Sequence, residues 1–426
     1  MTKIINKKNN NVFLLLLLVG IYPVLPEYFG IGKTPFYMFI PLIGLLLLLS
    51  KKSTLIVKRS FIKNNSLFFL LCTLPFIFHS QLGTWINWFV TTVVVLYLLD
   101  SLLCSRRDIE WCLDAILYVS IIINLIALIE RFTGYNVWSL FQTGANISND
   151  SSAYFRYGVI RIEASFGVAL TYSMYLLFVS LIALYKIIST KSTESGLLVR
   201  KKTAIYVFAF LLSIVCIVFT QCRLPLITIV FSLIFVVFKG KFLKKSKVLL
   251  LVLLILLVVG VIFIDQLIEL VGHFFSLFQD FFGGLSGNTA DDLTTAYRFE
   301  LIPTLLPYIE EKPVFGYGAS YINNGFTFII LDHKHKSIDN NYLAQALYYG
   351  IVGLLGNVWW IFSIIKRNIS LTIKRIELDD FEFFILLICI VYAVNLFSLY
   401  QMMESHLFYI IVGLYCKYED LVRKER

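Results

Sequence analysis

The chain has 426 residues, 58% of them hydrophobic and only 15% charged, with a formal net charge of +10 and a mean hydropathy of +0.80. A soluble domain of this size carries far more charge and has no use for repeated apolar runs of bilayer-spanning length, so the composition describes a polytopic membrane protein. The seven cysteines sit mostly in or beside apolar runs without a CxxC pair, which argues against a disulfide framework or zinc site.

Apolar runs predict twelve spans, near 11–29, 34–50, 65–80, 84–103, 109–130, 164–185, 203–221, 224–238, 248–268, 342–365, 381–399 and 403–416. The first follows Lys3, Lys7 and Lys8 with no small-residue cleavage site after it, and is expected to be retained as a span. The pairs 11–50 and 203–238 read as tight helical hairpins. Only about 131–163 and about 269–341 are long connections. No internal repeat is visible.

With the N-terminus placed in the cytoplasm, 28 of the 37 Lys and Arg residues fall on the cytoplasmic side. That is the positive-inside bias of an even number of spans with both termini cytoplasmic. The net charge is therefore a topology signal, and nucleic acid is excluded as the reason for it. The same assignment puts both long connections outside, together with 15 of the 27 acids. All five histidines also lie outside or at outer span ends. The expected fold is all-α: a single integral membrane domain over 1–426, with 269–341 an extracytoplasmic loop between spans 9 and 10 that carries short interfacial helices.

Four outer-face features invite chemistry. "RYGVIRIEASFG" places Arg156, Arg161 and Glu163 at the start of the sixth span. Basic residues there oppose the topology bias, and either an anionic partner or anchoring to Glu163 and lipid phosphate accounts for them. "FTQCRLPL" puts Arg223 between two spans with almost no loop. A guanidinium there faces an internal cavity or snorkels to head groups.

Next, "TTAYRFELIPTLLPYIEEKPVFGYGASY" reads as a short surface helix capped by Asp291 or Asp292. It carries Arg298 above an apolar face of Leu301, Leu305, Leu306 and Tyr308. Pro313, Gly316 and Gly318 then make a tight backbone turn that a substrate can approach, or the segment is a packed lid. Last, "HKSIDNNYLAQALYYGIVGLLG" ends a polar stretch at Asp339 and Asn340, which either cap the tenth span or belong to a site at its mouth. His333 and His335 have strand-like spacing without nearby acids or cysteines, which is weak support for a metal.

In this order the motifs resemble the O-antigen and capsular polysaccharide polymerases (Wzy-type) and their sister O-antigen ligases. The resemblance is carried by "RIEASFG", "TQCRLPL" with Cys222 in place of the usual serine, Arg298 with "EEKPVFGYG", and "DNNYLAQALYYGIVGLLG". Its specific part covers roughly 156–360. Sister ligases usually carry histidine where this chain has Asp339, which favours the polymerase branch. The resemblance implies a GT-C-like, metal-independent glycosyltransferase without cofactor, in the cytoplasmic membrane of a bacterium. It would move a glycan from undecaprenyl pyrophosphate to the non-reducing end of another lipid-linked repeat on the outer leaflet, and leaves room for a chain-length regulator protein as partner.

In that chemistry arginines compensate the charge of the leaving pyrophosphate. Arg161, Arg223 and Arg298 are the candidates, with Arg156 in reserve. Asp339 is the candidate base, with Glu163 the alternative, and Asn340 and Tyr342 would orient sugar hydroxyls. Two rivals stand: a ligase delivering glycan to another acceptor, and a flippase for the same lipid-linked oligosaccharide. A flippase should show charges along several spans and two similar halves; here charges gather at outer ends.

Overall fold

A computed structural model describes residues 12–31, 34–51, 59–143, 155–156, 159–190, 197–238, 293–319, 326–330, 333–335, 338–373, 379–398 and 406–425. Among these, twelve helices follow one another: α1 (Val12–Val24), α2 (Phe39–Lys51), α3 (Arg59–Phe78), α4 (Leu82–Leu102), α5 (Arg106–Thr133) and α6 (Ala169–Ser189). They continue as α7 (Leu197–Thr220), α8 (Arg223–Phe238), α9 (Leu293–Glu311), α10 (Asn341–Ile373), α11 (Asp380–Asn395) and α12 (His406–Glu425). Against the all-α expectation, three small antiparallel hairpins occupy connections: β1–β2 (Gly30–Ile31, Thr34–Pro35), β3–β4 (Phe155–Arg156, Val159–Ile160) and β5–β6 (Phe328–Ile330, His333–His335).

Among the described residues, six helices have the length and apolarity to cross a membrane: α3, α4, α5, α6, α7 and α10. The chain is thus a multi-pass membrane protein. α1, α2 and α8 are shorter apolar helices, and α11 and α12 stand where the last two spans are expected. The expected span at 248–268 lies outside the described residues.

Local chemistry sets the helix ends. α5 begins with a capping box in which Ser105 and Asp108 exchange side-chain bonds with each other's backbone, and ends on Gly134 at φ 72°. α11 starts with the same device, built from Asp379 and Glu382. Packing then ranks the helices. In α6, 94% of the most apolar stretch is buried against protein, compared with 28–50% in the other five spanning helices. α6 is therefore the central post, which fits its buried Ser173, Ser180, Tyr172 and Lys186 better than lipid exposure would. α7 packs most extensively on it, with α11 also against it. Phe178 of α6 meets Tyr392 of α11 and Phe408 of α12 at 5.9 and 6.0 Å, and those two rings stack at 3.7 Å.

The two ends of the bundle differ. At one end, Lys186 is held at 2.7 Å by both Glu110 and Asp114, and Tyr206 donates to Asp114 at 2.9 Å. The same end has the pairs Arg367–Glu419 and Lys417–Asp100. The opposite end holds residues 134–143 and 159–168, the α7–α8 turn, the start of α10 and a second small core. There Tyr297, Leu301 and Leu305 of α9 pack with Phe328 and Ile330 of β5 against Ala344 and Leu347 of α10.

α10 is not one rod. Gly350 has φ 65° and ψ −171°, so the helix breaks there into two pieces. The loop after α9 fills the break. Tyr317 and Gly318 N–H donate to the Leu347 and Tyr348 carbonyls (2.9 and 2.8 Å), while Ile351 and Val352 N–H donate to Pro313 and Val314 (2.8 and 3.2 Å). Four peptide groups at the break thus find partners in the loop, as buried backbone in a low-dielectric setting requires.

Candidate functional site

Three segments meet at the loop end. The first is 159–168, running from β4 into α6. Ile162 N–H donates to the Phe219 carbonyl at 3.3 Å, laying the strand against the end of α7. That contact delivers Arg161: its Nε donates to the Thr220 carbonyl at 2.7 Å and its Nη2 to Cys222 Sγ at 2.9 Å. The second is the α7–α8 turn, where Gln221 at φ 53° reverses the chain and Cys222 is buried. Cys222 takes the acceptor role that a serine hydroxyl would fill. Arg223 is the first residue of α8, so it stands beside the Arg161 contact.

Glu163 follows two residues after Arg161. Burial pushes its carboxyl up to about 7, against the lowering effects of the Arg161 charge and the Ala169 backbone N–H. A carboxyl titrating near neutrality is suited to proton transfer.

The third segment is the start of α10. Asn340 Oδ1 accepts from Leu343 N–H at 3.2 Å and its carbonyl from Ala344 N–H at 3.0 Å, so Asn340 makes the cap. Asp339 is half-buried just before it. Tyr342 is also half-buried; its hydroxyl donates to the Ala393 carbonyl at 2.7 Å and its ring lies 4.7 Å from Phe397. The hydroxyl proton is spent on the protein, which leaves its oxygen only an acceptor role toward a sugar.

A polar seam joins these segments. Asn341 N–H donates to the Leu396 carbonyl at 2.9 Å, tying α10 to the end of α11. Asn395 Nδ2 donates to Thr228 of α8 at 3.1 Å, one helical turn beyond Arg223. Asn341 and Asn395 are each at most 1% exposed. α9, which carries Arg298, joins the same end through its packing on the first piece of α10. The described backbone therefore brings Arg161, Arg223, Arg298, Glu163, Asp339, Asn340 and Tyr342 to one end of the bundle. The side chains of Arg156, Arg223 and Arg298 lie outside what the structure describes, as does 239–292 with the capping residues Asp291 and Asp292.

The glycine turn serves the protein's own packing. A Cβ on Gly316 would stand 2.5 Å from the Leu347 carbonyl oxygen, and one on Gly318 2.3 Å from Gln81 Nε2. The space expected for a substrate at these two glycines is filled by α10 and by residues 79–81. His79 also contacts the Phe315 carbonyl at 3.0 Å and Gln81 Oε1 accepts from Ala319 N–H at 3.1 Å. His335 packs between Tyr297 and Phe328, with centroids 4.6 and 6.0 Å away. Among the described residues no group of three His, Cys, Asp or Glu is placed to hold a metal. A small pocket lined by Cys72, Phe76, Trp88, Gln345, Tyr349, Gly353, Asn357 and Tyr409 lies among α3, α4, α10 and α12 and includes none of the candidate residues.

Sequence reasoning passed over Glu130, whose carboxylate grips the 163–164 backbone, and Asn395. A lone acid in the last turn of a span, and a lone amide at a span's end, were the available signals.

No curated protein matches the chain. Residues 208–358, roughly a third of it, match the family model described as O-antigen ligase (Wzy_C). The matched stretch runs from within α7 to just past the break in α10 and takes in Cys222, Arg223, Arg298 and Asp339. It supports the family of O-antigen ligases and polymerases, membrane enzymes of the glycan-transferase type acting on lipid-linked polysaccharide, without separating ligase from polymerase.

Proposed function

We propose that the protein is a polysaccharide polymerase of the bacterial cytoplasmic membrane that works on the outer leaflet. The donor is a glycan on undecaprenyl pyrophosphate and the acceptor is the non-reducing hydroxyl of a second lipid-linked repeat. The bond from the anomeric carbon to the pyrophosphate oxygen breaks and a bond to the acceptor oxygen forms. The hydroxyl proton passes to a carboxylate, and lipid pyrophosphate leaves. The observation that carries this reading is Arg161 locked against the α7–α8 turn next to Arg223, at the same end of the bundle as Asp339.

The chemistry follows from the groups. Guanidinium groups offer bidentate donors to a pyrophosphate as its charge grows, the role proposed for Arg161, Arg223 and Arg298. Asp339 is the proposed base. Glu163 is the alternative, because its raised pKa leaves part of it ionised at neutral pH. Asn340 and Tyr342 orient acceptor hydroxyls. The Lys and Arg bias places this end outside, where the lipid tails stay in the bilayer and the sugars lie beneath 269–341. Aspartate at 339 favours a polymerase over the ligase alternative, in which the acceptor is a different molecule.

Purified protein in nanodiscs, given synthetic lipid-pyrophosphate repeat units and no nucleotide sugar, should produce a ladder of lengthening glycans that survives chelator. Transfer only to a supplied lipid core would make it a ligase. Movement of the substrate across a liposome bilayer with no transfer would make it a flippase.

A further inference from the structure

Glu130 is the one acid in the last turn of α5, and it is 6% exposed. Its two carboxylate oxygens accept from consecutive backbone N–H groups, Glu163 at 3.1 Å and Ala164 at 2.9 Å. Ala164 has φ 50°, a left-handed conformation that alanine adopts reluctantly. Two successive N–H groups bent onto one anion form a backbone nest, and here the anion belongs to the protein. Asn136 completes the grip by donating to the Ala164 carbonyl at 3.0 Å. Arg161 lies two residues before the gripped peptide, and its guanidinium rests on Thr220 and Cys222.

We infer that Glu130 is a positioning residue: its carboxylate fixes the 162–164 backbone and through it holds the Arg161 guanidinium and the Glu163 carboxyl in register with the α7–α8 turn. This rests on the transferase reading for its consequence in catalysis, but not for its geometry. The carboxylate suits the task because it alone among side chains offers two acceptors in a fork with no donor. In Glu130→Gln one of the two backbone N–H groups faces an amide N–H instead of an oxygen. Without the grip, Ala164 relaxes to negative φ and Arg161 leaves Cys222. A displacement of about 1 Å in a charge-stabilising group costs about 100-fold in rate.

The test uses the full chain in nanodiscs. Glu130→Gln should lower turnover on the lipid-pyrophosphate repeat about 100-fold with KM little changed. It should add nothing to the loss seen in Arg161→Ala, because the two changes remove the same interaction. Adding Ala164→Gly to Glu130→Gln should restore at least about tenfold, since glycine takes φ 50° without the carboxylate's help. A buried acid with a merely structural role would not be rescued from a neighbouring backbone position.

A second readout does not depend on turnover. Maleimide labelling of Cys222, followed by mass spectrometry, should speed up by about tenfold in Glu130→Gln, the equivalent of one lost hydrogen bond, while labelling of Cys216 stays constant. Wild-type turnover in Glu130→Gln, losses that multiply with Arg161→Ala, or unchanged Cys222 labelling each overturn the inference. If wild type makes no glycan and Cys222 labelling still responds to Glu130→Gln and Ala164→Gly, the transferase reading fails and the positioning role stands.

Discussion

Gly350→Ala tests whether the break in α10 is built into the fold. Gly350 sits at φ 65° and ψ −171°, where only glycine is comfortable, and its new Cβ would lie 2.2 Å from the Val314 carbonyl oxygen and 2.5 Å from Phe315 N. Both are backbone atoms, so no rotamer change relieves the clash. The chain must either keep the strained conformation, at about 1–3 kcal/mol, or expel the loop. Expulsion forfeits the four backbone bonds across the break, at about 1 kcal/mol each, and leaves peptide groups buried without partners. The routes are alternatives, and because the strained one also keeps the clash with Val314, expulsion at about 4 kcal/mol sets the scale, a large share of the whole stability of many proteins.

The assay is thermal unfolding in nanodiscs followed by tryptophan fluorescence, with a Glu-specific protease probing release of the loop at the exposed Glu310 and Glu311. Gly83→Ala is the control, because a Cβ there meets nothing within 4 Å and alanine favours an α4 helix by about 1 kcal/mol. Gly350→Ala should melt several degrees lower and be cut faster, with Gly83→Ala at or above wild type. A Gly350→Ala midpoint within about 2 °C of wild type, with unchanged cutting, would refute the reasoning.

Further outcomes follow from the site and from the opposite end. If Glu163 is the base, turnover rises with pH through about 7 as its burial-raised carboxyl ionises; Glu163→Gln should remove that limb, and a profile identical to wild type would return the role to Asp339. Cys222→Ser keeps an acceptor for Arg161 Nη2 and should stay active, whereas Cys222→Ala leaves a guanidinium N–H unpaired and should cost about 1–3 kcal/mol of transition-state stabilisation, read as kcat/KM on the lipid-linked repeat. Lys186→Met leaves the largely buried Asp114 and the more exposed Glu110 without their cation and should destabilise by about 1–3 kcal/mol; adding Glu110→Gln and Asp114→Asn should recover much of the loss in the melting curve. Asp339→Asn and Arg298→Ala, expressed at normal levels, should each make no full-length polymer on gels of extracted glycan, and normal polymer from both would undo their assignment.

The helices were largely legible because apolar runs of spanning length survive in any order of packing, so eleven of the twelve expected spans fall on described helices. What the runs do not carry is which helix stands in the middle. α6 looks like its neighbours as a string of apolar residues, and only its serines and Lys186 hinted that it faces protein. The break at Gly350 was hidden for a similar reason: "YYGIVGLLG" reads as one continuous apolar helix, and the peptide groups that fill the gap come from Pro313–Gly318. Gly316 and Gly318 were correctly marked as unusual backbone, but the close approach they permit is to α10. Asn340 behaves as the cap that its type and position suggested. Arg161 was legible as a basic residue opposing the topology bias and Glu163 as its neighbour, while the link from Glu130 to the 163–164 backbone joins positions 33 and 34 residues apart, which no local pattern encodes.

The burial of α6 also constrains how the molecule is made. α6 is less apolar than α5 and α7; its Ser173 and Ser180 bond to their own helix, but Tyr172 and Lys186 find their partners on a neighbouring one. Emerging alone from the insertion machinery, it would present those groups to acyl chains. α5 reaches the membrane first and already carries Glu110 and Asp114 for Lys186 and Asn124 for Tyr172. α7 arrives next with Ser213, which completes the Asn124 bond. Biogenesis is therefore expected to proceed by handing α6 from one protein neighbour to the next, so that α5, α6 and α7 enter the bilayer as a single assembly unit.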